Sequence, residues 1–156
     1  MAINIVLVEP EIPPNTGNVA RSCAATGSVL HLVKPLGFSI DNKQLKRAGL
    51  DYWPFVTLIV HESLNGFLDE YSGSRMFFAS TKGKQLYDTV KFADGDMIVF
   101  GKETAGLPRE IIERYKENSI RIPMAEDTRL RSLNLSNSVN IILFEALRQL
   151  NFPNLK

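Results

Sequence analysis

The chain has 156 residues, of which 44% are hydrophobic and 22% charged, and its 18 Lys and Arg residues nearly balance 17 Asp and Glu residues to give a net charge of +1. This length suits about one domain of roughly 100–200 residues, the apolar fraction excludes a disordered chain, and the near-neutral charge excludes a strongly basic duplex-coating protein. A single cysteine excludes a disulfide framework, and with no membrane-length apolar run and no visible signal peptide we expect a cytoplasmic protein.

The first half of the chain predicts strands alternating with helices. Ile3–Val8 is a short apolar segment typical of a buried strand, and it ends at Glu9-Pro10. Pro13-Pro14 is expected to interrupt regular structure before Asn15-Thr16 caps a helix that closes at Gly27. The next predicted elements are a strand at Val29–Val33, a short helix capped by Asp41, a strand at Val56–Val60 and a helix near Ser63–Tyr71.

The second half continues the same alternation. Its predicted elements are strands at Arg75–Ala79 and Met97–Phe100, a helix begun by Pro108, a strand at Ser119–Ile122 and a final helix from Leu135 to Leu150. Because no linker or repeat divides the chain, we predict one α/β domain over residues 1–156 with a mostly parallel six-stranded sheet.

Several common chemistries lack their sequence signals. No Walker A motif, no dinucleotide fingerprint G-x-G-x-x-G after a strand and no G-x-S-x-G elbow is present. His31 lies within a predicted strand, His61 lies at the end of one, and Cys23 lies on the apolar side of its helix, so all three are interpreted as structural. No metal-ligand spacing is found, and we expect no metal.

Ligands of parallel sheets bind outside the carboxyl ends of the strands, and three loops at such positions are rich in Gly, Asn, Thr and Arg. They are Pro10–Gly17, Gly101–Pro108 and Pro123–Asn134. Glycine-rich turns let backbone groups reach a flat ligand, and the planar guanidinium of Arg21 can bind a phosphate through two hydrogen bonds. The residues alone therefore indicate a nucleotide-like ligand without defining a reaction.

Three motifs in order resemble those of the SPOUT class of RNA methyltransferases. They are N-T-G-N-V-A-R-S-C-A-A-T-G from Asn15, I-V-F-G-K-E-T-A-G-L-P from Ile98, and I-P-M from Ile122 followed by R-S-L-N-L-S-N from Arg131. The opening E-P-E-I-P-P-N-T-G-N from Glu9 and R-A-G-L-D-Y from Arg47 are similar to the small TrmL (YibK-like) subgroup. The similarity runs from about Ile3 to Leu150.

This resemblance implies a carboxyl-terminal trefoil knot, S-adenosylmethionine as cofactor and a homodimer that shares its active sites. It implies methylation of the ribose 2′-hydroxyl of the wobble nucleotide 34, a cytidine or modified uridine, in the anticodon stem-loop of tRNA, with tRNA-Leu as the expected substrate. The alternatives are a SPOUT enzyme acting at another RNA position and a knotted RNA-binding factor without activity.

The same resemblance assigns roles to individual residues. Arg21, Ser132 and Asn134 are the candidate catalytic residues, with Arg21 at the phosphate beside the target ribose. The candidate cofactor-binding residues are Ala79, Gly101, Glu103, Gly106, Ile122, Met124, Ser132 and Leu133. The candidate RNA-binding residues are Arg21, Lys43, Lys46, Arg47, Arg129 and Arg131.

Two features depart from the pattern of relatives. Phe144 stands where many relatives have Tyr, so no phenol can act as acid or base there. The segment Ala125–Arg131 is one or two residues longer, which weakens the transfer of roles within it.

Overall fold

A computed structural model describes residues 2–49, 52–130 and 132–156. The strands are β1 (Asn4–Val8), β2 (Val29–Val33), β3 (Thr57–His61), β4 (Met76–Ala79), β5 (Gln85–Leu86), β6 (Met97–Phe100) and β7 (Ser119–Arg121). The helices are α1 (Pro13–Thr26), α2 (Lys43–Gly49), α3 (Leu64–Glu70), α4 (Arg109–Arg114) and α5 (Leu135–Gln149). Single 3₁₀ turns lie at Trp53–Phe55, Lys116–Asn118 and Thr128–Leu130.

The seven strands form one sheet in the order β3-β2-β1-β6-β4-β7-β5, and every neighbouring pair is parallel. The predicted α/β class and parallel sheet are confirmed, but the predicted strand number was wrong. The missed strand, β5, pairs Gln85 with Ile120 and Leu86 with Arg121. Two residues are too few for a periodic apolar pattern, so only the pairing with β7 defines this strand.

Both faces of the sheet are covered, as expected for parallel strands. Ile5 and Leu7 of β1 belong to the core cluster that holds residues of α1 and α5. Val6 and Val8 alternate onto the opposite face, into the cluster that holds residues of α3 and α4. The side-chain period of two along β1 thus divides its apolar residues between two cores.

Two predicted helix starts are corrected. α1 begins at Pro13, and Asn15 is buried inside it, because proline has no N–H to lose in a first turn and its fixed φ suits a helix. α2 begins after Asn42, whose Oδ1 accepts from the backbone N of Gln44 at 2.7 Å and of Leu45 at 3.3 Å, so Asn42 provides the cap assigned to Asp41.

Candidate active site

The loops after β1, β4, β6 and β7 meet at the carboxyl-terminal ends of the strands, and this end of the sheet is called the edge below. These strands are adjacent and parallel, so their carboxyl ends lie side by side. The three loops singled out from the sequence lie at this edge, together with the 80–84 loop after β4. The fold thus brings residues that are up to about a hundred positions apart in sequence to one place.

The loop after β6 closes into a tight ring of backbone. The backbone N of Gly106 donates to the carbonyl of Lys102 at 2.9 Å, and Gly106 has a φ of +70°. A Cβ on Gly101 would lie 2.1 Å from both the carbonyl carbon of Gly106 and the nitrogen of Leu107. Only glycine fits at 101, because the atoms that oppose it are backbone atoms.

Glu103 joins this ring to the start of α1. One carboxylate oxygen of Glu103 accepts from the backbone N of Glu11 at 2.7 Å, and the other accepts from that of Ile12 at 3.1 Å. In return, the Glu11 carboxylate accepts from the hydroxyl of Thr104 at 2.7 Å and from its backbone N at 3.1 Å. These bonds, the hydroxyl first, hold the pKa of Glu11 below its usual value. Glu103 therefore supplies the cap that no side chain within α1 provides.

A second contact joins the same two loops. Lys102 Nζ lies 3.2 Å from Glu9 Oε1, and both side chains are largely shielded from solvent. Glu9 has a φ of +52°, a conformation that non-glycine residues seldom adopt and that recurs at functional sites. The contact between Glu9 and Lys102 thus fixes the first residue after β1.

Asn134 joins the loop after β7 to α1. Its Nδ2 donates to Oδ1 of Asn15 at 3.0 Å. Its Oδ1 accepts from the backbone N of Ser136 at 2.9 Å, from the Ser136 hydroxyl at 2.6 Å and from the backbone N of Asn137 at 3.4 Å. Asn134 therefore caps α5 and ties this loop to the first turn of α1.

The connection after β4 passes across β7. The backbone N of Ser80 donates to the carbonyl of Ile120 at 2.9 Å, and Arg121 donates to the carbonyl of Gly83 at 2.9 Å. A Cβ on Gly83 would lie 2.3 Å from the carbonyl carbon of Ile120. Since β7 lies between β4 and β5, the 80–84 segment bridges over β7 at backbone contact.

The candidate cofactor residues lie along the open part of this edge. Ala79 ends β4, Gly101 follows β6 and Ile122 follows β7. In the described part of the chain, the backbone N–H and C=O groups of Met124 and Leu133 form no hydrogen bond within the protein. These backbone groups lie beside the closed turn at Gly101–Gly106 and beside half-buried apolar side chains. Such surroundings fit a flat ligand such as an adenine nucleoside, so these residues fit S-adenosylmethionine.

Arg21 lies on the exposed side of α1, below this edge. It is eight residues beyond Pro13, and at 1.5 Å of rise per residue this places its Cα about 12 Å along the helix from the loops. Its guanidinium carbon is 4.7 Å from the centroid of the Tyr52 ring. Among the described residues, Arg21 is in contact with Tyr52, and no hydrogen bond or salt bridge joins it to Gly101 or Leu133.

The candidate RNA-binding residues fall into two groups. Lys43, Lys46 and Arg47 are exposed on α2, where Lys46 Nζ lies 3.5 Å from Asp41. Arg129 instead pairs with Asp127 at 2.6 Å, and its hydrogen bonds hold the pKa of that carboxyl below its usual value. Arg131 lies outside the described residues.

Ser132 is exposed, as is Phe144 with 46% of its surface accessible. Sequence reasoning missed Glu9, Glu11, Thr104 and Tyr52 as residues of this region, although all four lie in segments that carried the resemblance. Their contacts join loops about 30 to 90 residues apart, and no local pattern encodes such pairs.

Comparison with known proteins identifies the family. The model of the SpoU rRNA Methylase family matches residues 2–144. This chain belongs to that family. The match takes in all seven strands and the loops of the edge.

Relatives of this SpoU family chain are similar over its whole length. The tRNA (cytidine(34)-2′-O)-methyltransferase of Methylovorus glucosotrophus is 53% identical over 150 residues, which are 96% of each chain. A solved structure that concerns the 2-OH methylation of C/U34 on tRNA has a TM-score of 0.90 and 45% sequence identity. The match covers 96% of this chain and 97% of that one. The AdoMet-bound rRNA methyltransferase of Sinorhizobium meliloti has a TM-score of 0.84 and 25% identity, covering 96% of this chain and 57% of that one.

Among the described residues, no group of three or more His, Cys, Asp or Glu side chains is placed to hold a metal ion. None of the helices in the described ranges has the length and apolar character needed to cross a membrane.

Proposed function

We propose that this protein transfers a methyl group from S-adenosylmethionine to the ribose 2′-hydroxyl of nucleotide 34 of tRNA. The observation that carries the proposal is the similarity of about 50% over nearly the full length to proteins named for that reaction. The tight turn at Gly101–Gly106 and the backbone groups of Met124 and Leu133 support the edge as the place where the methyl donor binds. tRNA-Leu remains the expected substrate, and the anticodon stem-loop the expected recognition element.

The cofactor would be held by Ala79, Gly101, Gly106, Ile122, Met124, Ser132 and Leu133, mainly through backbone groups. When bound, S-adenosylmethionine supplies a methyl group on a positively charged sulfur that is already activated as a leaving group. The protein then has two tasks: it aligns the 2′-oxygen with the methyl carbon, and it places charge around the reacting atoms. We assign Glu103 an indirect part, since its carboxylate is occupied by the amides of Glu11 and Ile12.

Arg21 is proposed to bind the phosphate next to the target ribose and so to orient the 2′-hydroxyl. Its guanidinium stays protonated at physiological pH, which makes phosphate binding its main role. Ser132 is proposed to hydrogen-bond the ribose. Asn134 is proposed to position the loop that carries Ser132, because its own amide is already bonded to Asn15 and Ser136.

We propose that the working enzyme is a homodimer with shared sites. Arg21 lies about 12 Å along α1 from Pro13, and in the proposed dimer a second subunit brings it to the methyl donor. The exposed Phe144 on α5 provides apolar surface for such an interface. Light scattering coupled to gel filtration tests this, and a monomer at micromolar concentration would contradict it.

We also propose the trefoil knot and a single methyltransferase domain over residues 1–156. Support for the knot comes from the 80–84 segment, which passes across the end of β7 at backbone contact, with a Cβ on Gly83 only 2.3 Å from the carbonyl carbon of Ile120. Support for one domain comes from the single sheet, which joins strands from both halves of the chain. A cytoplasmic location agrees with a tRNA substrate.

The deciding experiment is mass spectrometry of tRNA nucleosides after incubation with the protein and S-adenosylmethionine. A 2′-O-methylated nucleoside at position 34 is expected. Methylation elsewhere in tRNA or in ribosomal RNA would assign a different position, and cofactor binding without any methylation would favour an RNA-binding factor. Arg21→Ala is expected to retain cofactor affinity while losing most of the turnover.

A further inference from the structure

Tyr52 is the aromatic partner of Arg21. The guanidinium carbon lies 4.7 Å from the ring centroid, within the range of a cation–π contact. Arg21 is exposed, whereas Tyr52 is half-buried between α2 and β3. Tyr52 ends the Arg47–Tyr52 segment that carried part of the resemblance, and no role has been assigned to it above.

The surroundings of Tyr52 fix its position. Its carbonyl accepts from the backbone N of Phe55 at 2.9 Å, which closes the 3₁₀ turn Trp53–Phe55. The next side chain, Trp53, packs against the core cluster that contains Val19 and Cys23 of α1. The segment that carries the Tyr52 ring is therefore anchored to the same core as α1, whereas the Arg21 side chain is exposed.

We propose that Tyr52 is a positioning residue that holds the Arg21 guanidinium in the orientation that binds the ribose-phosphate. A guanidinium that lies on an aromatic face keeps all its N–H donors in its own plane, available to phosphate oxygens. Pairing in the free protein also removes rotamers that Arg21 would otherwise lose on binding RNA. Tyr52 acts through Arg21 and does not contact the reacting atoms, so this inference rests on the proposed function.

Two substitutions distinguish the contribution of the Tyr52 ring from that of its hydroxyl. Tyr52→Phe keeps the aromatic face and is expected to retain the wild-type kcat/KM for tRNA. Tyr52→Leu keeps apolar bulk but removes the face, and it is expected to lower that kcat/KM by about two- to fivefold, as an exposed cation–π pair allows. The KM for S-adenosylmethionine is expected to stay unchanged in both.

A double-mutant cycle shows whether Tyr52 acts through Arg21. Adding Tyr52→Leu to Arg21→Ala is expected to cause no further loss of tRNA affinity, measured by fluorescence anisotropy. Arg114→Ala is the matched control, because Arg114 lies 5.1 Å from the Tyr115 ring centroid on α4, away from this surface. This control is expected to methylate tRNA at the wild-type rate.

The outcomes distinguish this inference from the proposed function. Wild-type activity of Tyr52→Leu beside an inactive Arg21→Ala would overturn the role of Tyr52 alone, as would equal losses from Tyr52→Leu in the presence and absence of Arg21. No methylation by the wild type, or full activity of Arg21→Ala, would refute the proposed function or the role of Arg21, and the positioning role with it. A change in the Arg21 Nε–H chemical shift in Tyr52→Leu reports the pairing itself without any activity measurement.

Discussion

The buried histidine pair predicts how stability depends on pH. His31 is 1% exposed; its Nε2 lies 2.9 Å from Asn4 Oδ1 and its Nδ1 lies 3.0 Å from His61 Nε2. Asn4 Nδ2 donates to the carbonyl of Gly95, which turns its Oδ1 toward His31. His31 therefore donates through Nε2, and in the neutral ring Nδ1 accepts from His61 Nε2.

The magnitude follows from the pKa. Burial first, and the neighbouring His61 second, lower the pKa of His31 from 6.5 to about 4. His31 binds a proton more readily in the unfolded state than in the folded state. The free energy of unfolding therefore decreases as pH falls from 6.5 to 4, and His31 does not affect it above that range. At about 1.4 kcal/mol per pKa unit, the loss amounts to about 3 kcal/mol between pH 6.5 and pH 4.

The assay is urea unfolding of wild type and His31→Gln at several pH values from 7 to 4. His31→Gln is expected to be less stable at pH 7 but to show a shallower decline toward pH 4. Burial raises the pKa of Asp96, so this group contributes the opposite dependence, but it is present in both proteins and cancels in the comparison. Parallel curves for the two proteins would refute the reasoning, as would NMR showing the His31 ring protonated near pH 6.

Three further changes test the candidate site. Gly101→Ala is expected to lower the free energy of unfolding by about 1–3 kcal/mol and to weaken S-adenosylmethionine binding in calorimetry, because the new Cβ would lie 2.1 Å from backbone atoms. Gly73→Ala is the control, since a Cβ there has nothing within 4 Å, and equal effects of the two substitutions would contradict the steric argument. Glu103→Gln is expected to lose about 1–3 kcal/mol in urea unfolding, because a neutral amide replaces a carboxylate that accepts two backbone N–H groups, and unchanged stability would contradict that role. The affinity for tRNA is expected to fall steeply with salt, and Lys43→Ala is expected to reduce the slope of log K against log salt by about 1; a flat response would remove the phosphate contacts.

Local patterns were enough to predict most of the architecture. Val29–Val33 has its predicted bounds, and the final helix differs from its prediction by one residue, because apolar periodicity over a buried strand or a long helix is a strong signal. The start of α1 was misplaced because the cap of that helix is Glu103, about 90 residues away, and the sequence around Pro13 contains no side-chain cap.

Features that depend on chain crossing could not be predicted from local pattern. β5 exists only through its pairing with β7, and the close backbone approach of Gly83 to Ile120 joins residues 37 positions apart. The roles of the cofactor loops were inferred from the resemblance to a known family, because glycine-rich turns alone indicate a flat ligand and do not define a reaction. The contact between Arg21 and Tyr52 joins positions 31 residues apart, and no periodicity encodes it.

The strand order explains why this sheet has no dinucleotide motif. In an open parallel sheet, the usual ligand crevice lies where the strand order reverses, which here is between β1 and β6. That position is filled by the contacts of Glu9 with Lys102 and of Glu11 with Thr104. These contacts close the crevice between β1 and β6, and the bonds of Glu103 to Glu11 and Ile12 join the loop after β6 to the start of α1.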